Sequence, residues 1–355
     1  MTSAYVKPAR NQTMECCKLV ASIFVVLIHV EFPGALNGYV SCLSHFAVPI
    51  FFMISGYFNF GADQETLSRR LKHLLQLYVT AILVRLLLGC IFTEIKGGST
   101  VVFLRCFLPD LQEIGNWLIF QLDNRIAQLW YLASVCFCYW ILRCYVRFFG
   151  EKPVDYRPLY LAGLSLFSVF FVFGMLAPAI GMDIPYPLYR NAYFMGLPFF
   201  TLGIFIHAYQ ERILKQFAFT TRKQLLWIGL GVLLGILQWK AMGMGQITVG
   251  ALIEVIALMF FMISHPKLTG DTGIWNGLIS RFGAWSTYIY LFHMIMLGVY
   301  LDFCASSVVA ALGEWEPYVR PFAVTIISFL FAVLFERGVF LIRKMRRHFK
   351  YTRGQ

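Results

Sequence analysis

Apolar stretches of about 17–22 residues recur from one end of this sequence to the other. At about 1.5 Å of rise per residue, each is long enough to cross the roughly 30 Å hydrocarbon layer of a bilayer as a helix. Backbone polar groups in lipid must be satisfied internally, and continuous stretches of this length favour helices. Ten spans are predicted, over residues 14–31, 42–60, 74–94, 128–148, 159–177, 192–209, 225–240, 248–264, 284–303 and 319–342. We therefore expect an all-α integral membrane protein, a bundle of about ten transmembrane helices.

The basic residues are distributed unequally between the two sides of these spans. With a cytoplasmic N-terminus, 23 of the 30 lysines and arginines fall on the cytoplasmic side, six fall on the outer side, and Arg85 lies within a span. The positive-inside rule then predicts that both termini are cytoplasmic. This asymmetry accounts for the net charge of +12, and the basic tail 343–355 is expected on anionic lipid headgroups rather than on nucleic acid.

Nothing in the sequence divides the chain into parts. It has no Gly/Ser/Pro linker, low-complexity run or evident repeat, so residues 1–355 are predicted to form a single domain in the cell's cytoplasmic (inner) membrane, with the bilayer as its first partner. The longest stretch outside the spans, 95–127, mixes apolar and acidic residues. This mixture favours an interfacial or re-entrant segment that covers an outward-facing cavity. The alternative is an ordinary folded loop. The cysteines show no metal-binding spacing with histidine, so no metal site is predicted.

A stripe of polar residues follows the first span, formed by Glu15, Lys18, Ser22 and His29. Ionisable groups inside a membrane are costly and therefore suggest function. Lys18 and His29 are eleven residues apart, which places them within about 20° of the same helix face and roughly 16 Å apart along the axis. A long, thin ligand would lie along this face with its anionic end at Lys18. The alternatives are a packing histidine, a lysine that reaches to the inner surface, and a simple Glu15–Lys18 ion pair.

The second span carries a second candidate feature near its inner end. Pro49 and Gly56 weaken a helix, and the Ser55-Gly56 step would offer backbone N–H groups to an anion. The alternative is helix packing through these small residues. Basic residues follow this span and would bind phosphates beside Lys18, or alternatively reflect topology alone; they are Arg69, Arg70 and Lys72.

Together these residues resemble the motifs of membrane-bound acyltransferase family 3. That family has an Arg/Lys-x10-His motif in its first span, an FFxxSG motif in its second and an RxxR motif after it. The matching positions are Lys18-x10-His29, Phe51-Phe52-x-x-Ser55-Gly56, and Arg69 with Lys72. Weaker matches are Trp130-Tyr131 and Ser286-x-Tyr288-x-Tyr290-Leu291-x-His293. Lysine stands at positions 18 and 72 where the family commonly has arginine, which keeps the charge but loses the bidentate geometry.

The resemblance implies an acyltransferase that moves an acyl group from cytoplasmic acyl-CoA to a sugar hydroxyl, on a lipid-linked or surface carbohydrate. Acetyl-CoA is the expected co-substrate, and no permanently bound cofactor is expected. His29 would be the general base, with Lys18 and Glu15 completing the catalytic set and Glu15 orienting Lys18. The residues expected to bind acyl-CoA are Lys18, Ser22, Ser55, Gly56, Arg69, Arg70 and Lys72.

Further polar and aromatic residues in the spans are candidates for lining the cavity or binding the acceptor; they are Arg85, Trp130, Tyr131, Glu254, Tyr290 and His293. Arg85 and Glu254 would alternatively form an ion pair with each other. Asp123 joins Trp130 and Tyr131 at the outer mouth, where aromatic faces with a carboxylate suit sugars but also occur as ordinary interface residues.

Two other functions agree with the same sequence. A multi-pass small-molecule transporter would also have a central polar cavity, and it predicts inverted repeats and broken helices in matching halves. An acyltransferase of the same fold would instead use a succinyl donor or an amine acceptor. A homo-oligomer is also compatible with the sequence.

Overall fold

A computed structural model describes residues 10–122, 124–150, 152–217, 220–243, 247–268 and 273–352, without the side chains of residues 124, 125, 217 and 346–352. Within these ranges the chain is helical and has no strand. The first seven helices are α1 (Gln12–His29), α2 (Ala35–Ser44), α3 (Ala47–Tyr57), α4 (Gln64–Ile95), α5 (Thr100–Phe107), α6 (Leu111–Phe120) and α7 (Trp130–Phe149). The remaining helices are α8 (Arg157–Phe171), α9 (Leu197–Phe217), α10 (Thr221–Met242), α11 (Val249–Ser264), α12 (Ile274–Val299), α13 (Ala305–Leu312) and α14 (Glu316–Thr352).

The predicted spans all overlap these helices. Eight helical segments in the described ranges are long and apolar enough to cross a membrane. One of them, Ile274–Met345, contains both α12 and α14, and the shorter apolar helix Val249–Ser264 is additional. The basic tail continues α14 as far as Thr352, and residues 353–355 lie outside the described ranges.

The second predicted span, 42–60, is broken into two helices. α2 ends at Ser44, and α3 begins at Ala47. A proline ring clashes with the carbonyl group four residues earlier, which for Pro49 belongs to His45. Pro49 itself lies in the first turn of α3, where the N–H that it lacks would have no partner within the helix. The break therefore falls before the Ser55-Gly56 step and not at it.

The stretch 95–127 is not an extended loop. It contains α5 and α6, neither of which has a buried residue. A capping box formed by Asp110 and Glu113 starts α6. The indole N–H of Trp117 donates to the Tyr78 hydroxyl at 2.8 Å, which attaches α6 to α4. An interfacial position for these two helices remains a prediction.

Glycines allow two pairs of helices to approach closely. In α3, a Cβ atom at Gly56 would lie 1.8 Å from the Phe200 carbonyl oxygen of α9. In α9, a Cβ atom at Gly203 would lie 2.0 Å from the Met53 carbonyl oxygen. Gly231 of α10 meets the backbone of α11 in the same way. Such contacts replace side-chain packing with backbone-to-backbone packing, which is common between helices in membranes.

α1 and α12 run in the same direction and bring two sequence motifs together. Gly283 packs against the Glu15 carboxylate, and the Ser286 hydroxyl donates to the Lys18 carbonyl at 2.9 Å. Further along both helices, the rings of His29 and His293 are 5.1 Å apart between centroids. The polar stripe of α1 therefore faces the Ser286–His293 motif of α12.

Candidate active site

A cavity of about 240 Å³ lies among α1, α3, α4, α7 and α12. Its polar lining consists of the Lys18 side chain and hydroxyl groups from the other helices, and it is smaller than the roughly 300–1,000 Å³ of typical small-molecule pockets. The hydroxyl-bearing residues are Ser55, Tyr131, Tyr139, Ser286, Thr287 and Tyr290. The cavity has room for part of a large ligand, such as a thin acyl-carrying arm, and not for a whole nucleotide-containing molecule.

Lys18 is held in the cavity by a short chain of charges. Its Nζ lies 2.7 Å from the Glu15 carboxylate, and the Arg10 guanidinium lies 3.3 Å from the other Glu15 oxygen. The Lys18 side chain keeps 22% of its surface exposed, against 11% for Glu15. Glu15 thus orients Lys18 and leaves part of the ammonium group accessible from the cavity. The sequence pattern did not single out Arg10, which lies just outside the first span.

Two of the residues predicted to bind acyl-CoA are used for packing. Ser22 is fully buried, donates to the Leu19 carbonyl at 2.7 Å, and does not line the cavity. Gly56 meets α9, whereas Ser55 beside it faces the cavity. The expectation that the Ser55-Gly56 step frees backbone N–H groups was wrong. Both residues lie near the end of α3, beyond its first turn, where each N–H is bonded within the helix.

The basic residues after α3 separate, because successive helix positions point about 100° apart. Arg70 turns toward the end of α3 and donates to the Phe58 carbonyl and to Asn59 Oδ1, both at 2.7 Å. Phe58 lines the cavity, so Arg70 lies at the end of the cavity formed by the end of α3, which is predicted to be the cytoplasmic end. Arg69 and Lys72 are exposed and do not line it, and Arg69 lies 3.6 Å from Glu65.

α4, the helix that carries Arg69, Arg70 and Lys72, has a side-chain cap at its N-terminus. Asp63, which precedes α4, accepts from the Thr66 backbone N–H at 2.8 Å. This hydrogen bond, together with one from the Thr66 hydroxyl, lowers the pKa of the Asp63 carboxyl group, because both stabilise its charged form. The cap therefore stays charged at neutral pH and holds the first turn of α4, where Arg69 and Arg70 follow.

His29 and His293 form a pair of imidazoles past the Tyr290 end of the cavity. His293 lies one turn past Tyr290, and its Nδ1 is 2.8 Å from the Tyr290 carbonyl. A carbonyl only accepts, so Nδ1 carries the proton and Nε2 has a lone pair. Nε2 is enclosed and has no hydrogen-bond partner. His29 is half-buried and is not among the residues that line the cavity.

The remaining predicted residues fall into two groups. Tyr131 and Tyr290 line the cavity and contact each other edge to face at 5.3 Å between centroids. The Tyr290 hydroxyl donates to the Gln128 carbonyl. Trp130, beside Tyr131, does not line the cavity, and its ring contacts the Arg190 guanidinium instead.

Arg85 and Glu254 do not meet in this cavity. Arg85 is half-buried on α4, Glu254 is 5% exposed on α11, and neither lines the cavity. No ion pair joins them in the described ranges. The alternative of an Arg85–Glu254 pair was therefore wrong, since the two residues lie on helices that are not packed together. Asp123 is outside the described residues.

Sequence reasoning missed three residues near these groups. Tyr139 lies two turns after Tyr131 on α7, so the periodicity of that helix would have identified it. Arg190 and His45 lie outside the recognised motifs. The Arg190 guanidinium is 4.7 Å from the centre of the Trp130 ring, and the Nδ1 atom of His45 is buried without a hydrogen-bond partner in the described ranges. No local pattern joins these positions, because they come from three separate segments of the chain.

No group of three His, Cys, Asp or Glu side chains is placed to hold a metal ion in the part of the chain that the structure describes. The chemistry available at the site is therefore that of two imidazoles, one held ammonium group and several hydroxyls. Such a set suits proton transfer at a hydroxyl group together with binding of an anion.

Comparison with known proteins gives one match. The model of the acyltransferase 3 family, described as an acyltransferase domain, matches residues 11–337. That range includes every described residue of the cavity and the histidine pair. No curated protein and no solved structure matches the chain.

Proposed function

Because the chain belongs to the acyltransferase 3 family, we propose that it transfers an acyl group from cytoplasmic acyl-CoA to a hydroxyl of a cell-envelope carbohydrate, acting as a multi-pass protein of the cytoplasmic membrane. Family membership makes it an acyltransferase and favours an enzyme over a transporter. The observation that carries the proposal is the convergence of Lys18, Ser55, Tyr131 and Tyr290 on one cavity, with the His29–His293 pair one turn beyond it.

The half of the site predicted to face the cytoplasm suits the acyl donor, acyl-CoA. Lys18 is a partly accessible cation at the cavity wall, and Arg70 stands at its cytoplasmic end. In the proposal these cations attract the phosphates of acyl-CoA, and the thin pantetheine arm enters the cavity along its hydroxyl groups. The Lys18–His29 separation of roughly 16 Å then places the thioester near the histidines. Acetyl is the proposed acyl group, because the cavity volume of about 240 Å³ leaves little room for a longer chain beside the arm.

In the proposed reaction His29 acts as the general base. Its imidazole takes the proton from the acceptor hydroxyl as that oxygen attacks the thioester carbonyl carbon. A new C–O bond forms, the C–S bond breaks, and the proton passes from the imidazolium to the departing CoA thiolate. The products are the acylated sugar and CoA. Direct transfer is favoured over an acyl-enzyme intermediate, since no Ser or Cys side chain is hydrogen-bonded to His29 among the described residues.

His293 acts as a positioning residue in this proposal. Its Nδ1 proton is held by the Tyr290 and Ile289 carbonyls, so the lone pair of Nε2 stays available on the buried side of His29. A hydrogen-bond acceptor beside one nitrogen of His29 favours the tautomer in which that nitrogen carries the proton. The second nitrogen of His29 is then unprotonated and able to receive the proton of the attacking hydroxyl. Fixing the tautomer in this way is how a second group commonly supports a catalytic imidazole.

The test supplies the purified protein in native-like membranes with acetyl-CoA labelled in the acetyl group. Wild type is expected to move label to membrane glycans, and His29→Ala and His29→Gln are expected to lower the rate at least about 100-fold, the usual contribution of a general base. His73→Gln is the matched control, because His73 is an exposed histidine on α4. Equal labelling by His29→Ala and wild type would remove His29 from the mechanism.

Two further arms of the same experiment separate the alternatives. Succinyl-CoA replaces acetyl-CoA in one arm, and faster transfer from it would change the proposed donor. The labelled product is treated with mild alkali in the other arm, because an ester is cleaved and an amide survives. Label that resists alkali would show an amine acceptor instead of a hydroxyl. No label from any acyl-CoA would contradict the proposed function itself.

A further inference from the structure

The outer end of the site contains a cation whose role the proposed transfer does not explain. Arg190 comes from the segment between α8 and α9, and its guanidinium lies 4.7 Å from the centre of the Trp130 ring and 6.0 Å from that of Tyr186. It is surrounded by protein but keeps an accessible surface. Trp130 precedes Tyr131 on α7, the Tyr131 ring lies 5.3 Å from that of Tyr290, and the Tyr290 ring lies 6.3 Å from that of His293. The guanidinium therefore lies toward the end of the site that carries the histidine pair.

The backbone around Arg190 is held in place by several hydrogen bonds. The Arg190 N–H donates to the Tyr186 carbonyl at 2.8 Å. The side chain of the next residue, Asn191, accepts from the Tyr193 N–H at 2.9 Å and donates to the Pro187 carbonyl at 3.0 Å. The following N–H, of Ala192, donates to the buried side chain of Gln121 at 2.8 Å. Arg190 is therefore fixed by the fold and does not belong to a loosely attached loop.

Arg190 has no carboxylate partner among the described residues. Its described neighbours on this side are the aromatic rings of Trp130 and Tyr186. Two other cations predicted on the outer side are paired: Lys96 lies 2.5 Å from Asp302, and Arg320 lies 2.6 Å from Glu316.

Burying much of a guanidinium without a counter-charge is costly, and contact with aromatic rings recovers only part of that cost. A partly accessible guanidinium without a carboxylate partner is a group that an anion can bind. Two imidazole nitrogens nearby are also enclosed and without partners, His293 Nε2 and His45 Nδ1. The Arg190 guanidinium supplies the positive charge at this end of the site, and these two imidazole nitrogens are short of hydrogen-bond partners.

We propose that Arg190 binds an anionic group of the acceptor, a carboxylate or a phosphate, and so makes the enzyme selective for acidic glycans or glycan phosphates. A guanidinium donates two parallel hydrogen bonds to either group, and the Trp130 ring beneath it keeps the fork in one plane. Binding there places a neighbouring sugar hydroxyl toward His29. This inference rests on the proposed function and names the class of acceptor for that same site.

The first test identifies the charge of the natural product. Membranes from the cells that make the full-length protein are supplied with labelled acetyl-CoA, and the labelled glycan is applied to an anion-exchange column. Label in the retained fraction is expected, and label in a neutral fraction would overturn the inference while leaving the acyl transfer intact. Coupling to a neutral amine with a carbodiimide abolishes retention by a carboxylate but not by a phosphate, which separates the two sources.

The second test uses the retained glycan as acceptor for purified variants. Arg190→Gln is expected to raise KM for this acceptor at least tenfold and Arg190→Lys to give an intermediate value, while KM for acetyl-CoA stays within twofold. The matched control is Lys240→Gln, because Lys240 is another outer cation over an aromatic ring, 5.0 Å from that of Tyr39, and it should change neither constant.

Three results would overturn the role of Arg190. They are an equal loss in Arg190→Gln and Lys240→Gln, a fall in kcat without a change in the acceptor KM, and an unchanged acceptor KM in Arg190→Gln. If wild type transfers label from no acyl-CoA at all, the proposed function fails first and this inference fails with it.

Discussion

At the scale of single residues, the main result is that charges which a membrane would penalise are held by neighbours a few positions away. Glu15 lies between Lys18 at 2.7 Å and Arg10 at 3.3 Å, so three charges share the cost of their partial burial. Ion pairs of this kind stabilise little by themselves. Their effect is to fix where the Lys18 ammonium group points, which is toward the cavity.

Lys18→Ala is expected to weaken binding of CoA by about 10- to 100-fold, the equivalent of losing a charge-assisted hydrogen bond worth about 1.5–3 kcal/mol. Lys18→Arg keeps the charge and should bind CoA within about threefold of wild type. Isothermal titration of CoA into the purified protein measures both. The control is Lys223→Ala, since Lys223 is an exposed lysine on α10. Unchanged CoA binding in Lys18→Ala would place the donor phosphates elsewhere.

At the scale of helices, close backbone contact positions the cavity walls. α3 carries Ser55 toward the cavity on one face and Gly56 against α9 on another. The position of Ser55 therefore depends on how near α3 approaches α9. The break between α2 and α3 contributes to this arrangement, since it gives α3 a direction of its own instead of continuing α2.

Gly56→Ala is expected to destabilise the protein, because its Cβ atom would lie 1.8 Å from the Phe200 carbonyl oxygen and the helices would have to separate. Overpacking of this kind costs about 1–3 kcal/mol. The matched control is Gly229→Ala on α10, where a Cβ atom would have nothing within 4 Å. That change should be neutral or stabilising by up to about 1 kcal/mol, since alanine favours a helix.

Thermal unfolding of both glycine variants in the same detergent measures this difference. We expect a lower melting temperature for Gly56→Ala and an equal or higher one for Gly229→Ala. The same fall in both variants would mean that loss of backbone freedom, and not contact with α9, is what alanine changes at position 56.

At the scale of the whole molecule, the order of the spans and the direction of the helices support each other. α1 and α12 run in parallel, and both contribute residues to the site. Consecutive spans cross a membrane in opposite directions, so the first and the ninth of ten predicted spans must run in the same direction. The positive-inside pattern predicts that the Lys18 end of this pair lies at the cytoplasm and the histidine end toward the outside. Donor and acceptor would then approach the thioester from opposite sides of the membrane.

Cysteine labelling tests that orientation. All nine cysteines are free, and Cys106 is exposed on α5, in the segment predicted outside. A membrane-impermeant maleimide should label wild type in intact cells, and Cys106→Ser should lose most of this label. Thr220, which precedes α10, is exposed and predicted to be cytoplasmic. A cysteine placed there by Thr220→Cys in the Cys106→Ser background should react only after the cells are permeabilised. Reaction of that cysteine in intact cells would reverse the topology.

The sequence by itself determined the features that depend on neighbours along the chain. The length of the apolar stretches predicted the helices, and 3.6-residue periodicity predicted that Lys18 and His29 share a face. The pairing of Glu15 with Lys18 was also accessible, since side chains three residues apart are adjacent on a helix. These predictions succeeded because helix geometry is set locally.

Only the tertiary structure decided which helices meet and what their faces touch. It showed that Ser22 is used for packing, that Arg70 alone of its basic group reaches the cavity end, and that His293 stands opposite His29. It also brought Arg190 onto Trp130, sixty residues earlier in the chain. Contacts of this kind follow from the close packing of side chains and glycines between distant segments, and no periodicity in the sequence encodes that packing.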